Sequence, residues 1–172
     1  MKMRPQLSCV AIKQTLPGEL LIFPEDGESR IGLRVIDKKR PPNPDDDPLT
    51  LVLGPTFSNE IVGPHIVAWI QDDVLSLGAG FTINLPSGPS KWTFEEPPQN
   101  IPSLVLAGND LFVRANRSST PRRVGFCYVN IADGTIHDVI SRHRSYAISW
   151  EILAPIADVG SASLAYEVVL RF

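Results

Sequence analysis

An all-β fold is what this sequence predicts, and three observations predict it. Sixteen prolines and twelve glycines in 172 residues fall between short apolar runs, as in PGE at 17–19, GPT at 54–56, VGPH at 62–65 and LPSGPS at 85–90, where they end strands and make turns. The runs alternate with a period of two. In SRIGLRVID, Ile31, Leu33 and Val35 share one face and Arg30, Gly32 and Arg34 the other, the pattern of a half-buried strand. Turn signals recur every eight to twelve residues or so, and about ten strands at that spacing suggest two packed antiparallel sheets. The expected architecture is a single-domain antiparallel β-sandwich over residues 1–172, immunoglobulin-like or jelly-roll-like.

In chain order the candidate strands are Leu7 to Gln14, Glu19 to Phe23, the SRIGLRVID run, Leu49 to Leu53, His65 to Ile70, Phe81 to Leu85, Lys91 to Phe94, Leu111 to Ala115, Arg123 to Ile131, Thr135 to Val139, Tyr146 to Leu153 and the C-terminal run. VGFCYVNI is apolar on both faces and should lie centrally, and the ADG at 132–134 supplies the Asp-Gly pair of a tight hairpin into TIHDV. At the C-terminus Leu164, Tyr166, Val168, Leu170 and Phe172 share a face opposite Ser163, Glu167 and Arg171. Two segments break the pattern. KKRPPNPDDDP at 38–48 carries prolines that cannot continue a ladder and reads as an exposed loop. FEEPPQNIP at 94–102 reads as a connection crossing between sheets. No period of 20 to 50 residues repeats, which argues against a propeller or solenoid.

Composition narrows the function classes. Hydrophobic residues at 43% and charged residues at 20% are globular values. The net charge of −3 divides unevenly: residues 1–100 hold nine Lys or Arg against thirteen Asp or Glu, and residues 101–172 hold seven against six. Neither half has the basic footprint of a nucleic-acid binder. The start, MKMRPQLSCVAIKQ, lacks the features of a signal peptide, and no apolar run reaches the roughly eighteen residues of a membrane span. A cytoplasmic location is expected, and with it two reduced, buried thiols at Cys9 and Cys127.

The chemistry-bearing residues form no recognisable catalytic constellation. His65, His137 and His143 with Cys127 invite a copper or zinc reading, but nine residues separate Cys127 from His137 and both methionines lie at the N-terminus, so no metal is expected. No G-x-S-x-G elbow accompanies Ser141, Ser145 or Ser149, and GAG at 78–80 precedes a strand-like run rather than a phosphate-holding helix. Glu95 and Glu96 are adjacent, so on a strand they would point to opposite faces and could not flank one glycosidic bond. The triplet Asp45, Asp46 and Asp47 lacks the alternate ligand spacing of a calcium loop. No cofactor is implied, and a metal-dependent enzyme ranks third among the readings. Trp69, Trp92 and Trp150 support a second reading, a small-ligand or carbohydrate-binding module with exposed tryptophans. The order of KWTFEE, GNDLFVRAN and FCYVNIADGTIHDV resembles small bacterial β-sandwich proteins without catalytic centres, and carries no site residue across.

The leading candidate site is made of arginine. Arg114, Arg117, Arg122 and Arg123 fall in RANRSSTPRR, and Arg142, His143 and Arg144 in SRHRS, while residues 101–172 contain no lysine. A strand running from Ser141 would put Arg142 and Arg144 on the apolar face of Tyr146 and Trp150, which unpaired charge forbids. The strand should therefore start near Ser145 and leave SRHR as a rim loop. Arginine's planar fork suits carboxylate recognition at an interface. The expected function is a non-catalytic binding or assembly protein that uses this rim and its sheet edges to meet an acidic partner or a second copy of itself. The competing expectation is local pairing of the arginines with Asp133, Asp138 and Glu151.

Overall fold

The computed structural model describes residues 8–25, 28–40, 47–54, 63–68, 73–85, 92–97, 103–117, 125–156 and 165–171. Trp69, Asp45, Asp46, Arg122, Arg123 and residues 98–102 lie outside them. The described residues form strands and one 3-10 turn: β1 (Ser8–Ala11), β2 (Leu20–Glu25), β3 (Glu28–Val35), β4 (Leu49–Gly54), β5 (His65–Ala68), β6 (Asp73–Gly78), β7 (Thr82–Asn84), β8 (Trp92–Thr93), β9 (Leu104–Ala107), β10 (Asp110–Asn116), β11 (Phe126–Asn130), β12 (Ile136–His137), β13 (Arg144–Ala147), β14 (Glu151–Ile156) and β15 (Ala165–Arg171). The all-β expectation holds. The division into sheets is unequal. Twelve strands make one sheet in the order β1-β6-β2-β3-β4-β5-β10-β9-β13-β8, with β11 and β12 branching from β10, and β15-β14-β7 make the other.

The larger sheet returns on itself. Starting at β3, the pairings run through β4, β5, β10, β11 and β12, antiparallel except for β5 with β10. Those directions leave β12 parallel to β3, and Ile36, the residue after β3, makes a parallel bridge with Thr135. Two backbone bonds close the seam, from Ile36 N–H to Gly134 O and from Ile136 N–H to Ile36 O, both 3.0 Å. Alternate residues of the six ring strands, Leu33 and Val35, Leu51 and Leu53, Ile66, Val113 and Ala115, Val129, and Ile136, all belong to one buried cluster. Burying each Leu, Ile or Val fully is worth about 1.5–3 kcal/mol. Leu20, Leu104 and Ala147 from other strands of the larger sheet join it, as do Trp150 and Ile152 at the start of the second sheet's segment.

The Asp-Gly turn forms as expected and also positions the seam. Asn130 N–H donates to Thr135 O at 2.9 Å and Gly134 N–H to Asn130 O at 2.9 Å. Gly134 has φ +68°, and a Cβ there would lie 2.4 Å from Arg34 O and 2.6 Å from Gly18 N. Only glycine fits that conformation and that proximity.

Four expectations are corrected. β3 is not half-buried: Arg30 and Gly32 are buried too, because β2 lays Phe23 across them, within a second cluster of Ile12, Leu21, Phe23, Val52 and Val74. A Cβ on Gly32 would stand 2.8 Å from Phe23 Cε1 and from Thr50 Cγ2, so the missing side chain is what admits the ring. Tyr146 to Leu153 is not one strand, since β13 ends at Ala147, Ile148 and Ser149 are exposed, and β14 begins at Glu151 in the other sheet. FEEPPQNIP, of which 98–102 lie outside the described residues, has β8 before it and β9 after it, both in the larger sheet on either side of β13 rather than in different sheets. Cys9 is exposed, and only Cys127 is buried. Among the described residues no helix is long and apolar enough to cross a membrane.

Candidate functional site

Sequence proximity groups the arginines, and strand alternation separates them. On β10, Arg114 lies opposite Tyr128 and Ala115 opposite Cys127, so Arg114 shares the face of Phe112, Phe126 and Tyr128, away from the ring's interior. Its side chain is only 4% exposed, which places it in the sheet rather than in a rim loop. Arg117 follows the end of β10 and meets local acids: it pairs with Asp37 at 3.6 Å and with Asp138, which also takes Lys39. Asp133 pairs with Lys38 at 3.5 Å, and Glu151 with Arg171. Local pairing thus accounts for Arg117. Arg142 and His143 are exposed in the bend before β13, where the rim loop was expected, and Arg144 is the first residue of that strand.

Arg114 and Arg144 converge on one carboxylate. Glu96 places Oε1 3.4 Å from Arg114 Nη1 and Oε2 3.4 Å from Arg144 Nη2, so each guanidinium takes one oxygen. The β8–β13 pairing, with Thr93 opposite Tyr146, brings the Phe94–Pro97 segment over this face. Arg114 also donates to Pro97 O at 2.8 Å, and its guanidinium lies 4.7 Å from the Phe126 ring centre. Arg144 donates to Tyr128 Oη at 3.0 Å and sits 5.4 and 5.7 Å from the Tyr128 and Tyr146 rings. Stacking on aromatic faces lets these cations stay out of water at reduced cost. Burial pushes the Tyr146 phenol up, Glu96 and Tyr128 add to the rise, and Arg144 and Arg114 oppose it. The cluster therefore contains two cations, one carboxylate and two phenols, a net charge of about +1 around neutral pH.

Beside it opens a cleft of ≈ 360 Å³ lined by Phe94, Leu106, Gly108, Arg142, His143, Arg144 and Ser145. Phe94 is 87% exposed and Leu106 is also exposed. The side chains of Arg142 and His143 make no hydrogen bond or ion pair among the described residues; only the His143 backbone N–H is engaged, with Ser141 Oγ at 3.3 Å. An exposed ring beside an unneutralised guanidinium and an imidazole can offer apolar contact together with carboxylate recognition.

Sequence reasoning missed Phe94, Glu96, Leu106, Tyr128 and Tyr146 as site residues. The available signal was the parity of DLFVRAN, which puts Arg114 on the same face as Phe112. Glu96 could not be found that way, because its partners lie on strands distant in sequence. The other candidates separate. Cys127 faces the ring's interior, whereas His137 lies opposite Tyr128 on the outer face, 5.4 Å edge-on from Phe112. His65 is buried, with Nδ1 3.3 Å from Gly63 O. Among the described residues no three His, Cys, Asp or Glu side chains gather to hold a metal. Trp150 belongs to the core and Trp92 is partly buried against it, so neither is an open platform. No family model matches the chain, and neither a curated protein nor a solved structure matches it.

Proposed function

We propose that the protein is a non-catalytic binding or assembly module, and that the cleft of Phe94, Leu106, Arg142, His143 and Arg144 receives an acidic protein surface. The observation that supports this reading most directly is the coincidence of an almost fully exposed phenylalanine with the Arg142 guanidinium, which has no acidic partner among the described residues, and with the exposed His143 imidazole beside it. Arg117 and Lys39, by contrast, are neutralised locally by Asp37 and Asp138. The excess of acid in residues 1–100 makes a second copy of the chain the first partner to test. β8, two residues long, ends the sheet order among the described residues and lies beside the cleft, where a neighbouring strand would add.

Light scattering on the full chain at micromolar concentration and low salt tests the self-association arm, and titration with a fluorescent glutamate-rich peptide tests the acidic-partner arm. Arg142→Ser and Phe94→Ser should each weaken whichever interaction is seen. A monomer mass at all salt concentrations, combined with no peptide binding, would refute the reading.

A further inference from the structure

We propose that Glu96 is the resident occupant of a carboxylate-binding site formed by Arg114 and Arg144, and that a carboxylate from outside the chain can take its place. This goes beyond the docking reading: it shares Arg144 with that cleft but rests on Glu96 and on the buried Arg114, which do not line it. The geometry is that of a two-oxygen, planar ligand, because each oxygen of Glu96 faces a different guanidinium at the same 3.4 Å. Charge-assisted hydrogen bonds to carboxylate are ordinarily about 2.7–2.9 Å. The resident acid is therefore attached loosely.

Two further features point to exchange. Glu96 stands at the mouth, with a side chain 47% exposed, whereas Arg114 lies behind it at 4%. Pro97 O and the Phe126 ring stabilise that buried guanidinium in part, and a carboxylate beside it adds to this through its charge rather than through its attachment to the chain. Donors also remain for a ligand that reaches deeper: the buried Arg114 Nε and Tyr146 Oη have no hydrogen-bond partner among the described residues. Tyr146 is in the same electrostatic neighbourhood as Glu96, Arg114 and Arg144. An incoming carboxylate could gain bonds that Glu96 does not make. The chemical class is thus a carboxylate, with a planar pair of oxygens matched to two convergent forks, rather than a tetrahedral oxyanion.

The test uses the full chain with Glu96→Gln, which keeps the shape of the residue and removes its charge. Melting temperature is followed against acetate, with chloride at matched ionic strength as the control and phosphate as a third arm. The expected result is a lower melting temperature than wild type in chloride, recovered saturably by acetate and much less by phosphate, with wild type responding far more weakly. Adding Arg144→Gln to Glu96→Gln should abolish the acetate response. Should Glu96→Gln not fold in either salt, Glu96→Asp, whose side chain is one methylene shorter and draws the carboxylate back from both guanidinium groups, carries the same titration. Identical melting in acetate and chloride would overturn the proposal, as would an acetate response that survives loss of Arg144. Equal or better recovery by phosphate would overturn the assignment to carboxylate. None of these readouts depends on self-association or on peptide binding, so the docking reading can fail while this one stands.

Discussion

Comparing Arg142→Ser with Arg144→Ser separates an exposed residue, without a side-chain hydrogen bond or ion pair among the described residues, from a neighbour two positions away that is built into the sheet. Arg142 has no side-chain partner among the described residues, so its replacement should change stability by no more than about 0.5 kcal/mol. Arg144 is 27% exposed and would lose more. A hydrogen bond from a charged group is worth about 1.5–3 kcal/mol when desolvated; the partial exposure of Arg144 argues for less than that range, about 1 kcal/mol. Its position over the Tyr128 and Tyr146 rings adds about 0.5–1 kcal/mol. The 3.4 Å contact with Glu96 adds little, because half of that carboxylate is in water. The expected loss is roughly 1.5–2 kcal/mol, and for a chain of this size that lowers the melting temperature by about 3–8 °C. Urea unfolding, followed by tryptophan fluorescence at a concentration where the chain is monomeric, reads both variants directly. If the cleft docks an acidic surface, the two substitutions should nevertheless weaken association similarly, and added salt should weaken it in wild type over a Debye length of about 10 Å at 0.1 M. Equal stability losses for the two variants, or none for Arg144→Ser, would refute the placement of SRHRS as bend followed by strand.

Further expectations concern other parts of the molecule. Gly134→Ala should cost at least about 2 kcal/mol, from a left-handed conformation that an L side chain resists and from backbone atoms 2.4 and 2.6 Å from the new methyl group; a neutral result in urea unfolding would contradict the ring seam. Cys9 should react with a thiol reagent at pH 8 while Cys127 does not until the chain unfolds, because burial, outweighing Arg117 and assisted by Asp37, pushes the Cys127 thiol up to about 11. For Asp133, burial raises the carboxyl but hydrogen bonds from Thr135 and the charge of Lys38 outweigh it, so the net shift is downward from 3.8. A depressed carboxyl stabilises the fold above the unfolded-state pKa and loses that contribution as pH falls through the folded one; Asp133→Asn should therefore flatten the stability curve below about pH 4 in acid titration monitored by fluorescence. Elemental analysis should find no stoichiometric copper or zinc, since Cys127 and His137 lie on opposite faces of their strands.

What was legible in the sequence followed from local rules. The period of two located most of the strands, and Asp133-Gly134 fixed a hairpin because its turn chemistry is complete within four residues. β6 and β9 escaped notice: DVLSLG and LVLA are short, and in each Ser76 or Gly108 blurs the boundary that marks a strand. The burial of Arg30 could not be inferred from alternation, because a glycine at 32 that admits Phe23 looks in sequence like a gap on a polar face. The cost of burying charge correctly kept Arg142 out of the strand. It did not predict Arg144 at the strand's start, because the phenol and rings that accommodate that cation come from β11 and from Tyr146 itself. Half of the candidate site was visible as a run of arginines; the other half depends on which strands lie side by side.

The closure of the six-strand ring has a kinetic consequence. The Ile36–Thr135 bridge is reinforced by an ion pair between Lys39 and Asp138, 99 residues apart in sequence, so the seam cannot form until the chain between them has been brought nearly into place. Loop-closure entropy rises only slowly with such a separation, but contacts of this range are characteristic of slow-folding β proteins, with times of milliseconds to seconds. A chain still on the ribosome with β12 unsynthesised would have β3 to β5 and β10 available to pair but nothing to join Ile36. The backbone groups of Ile36 that β12 later engages would then be open to any neighbouring strand, and completing residues 134–136 removes that opportunity.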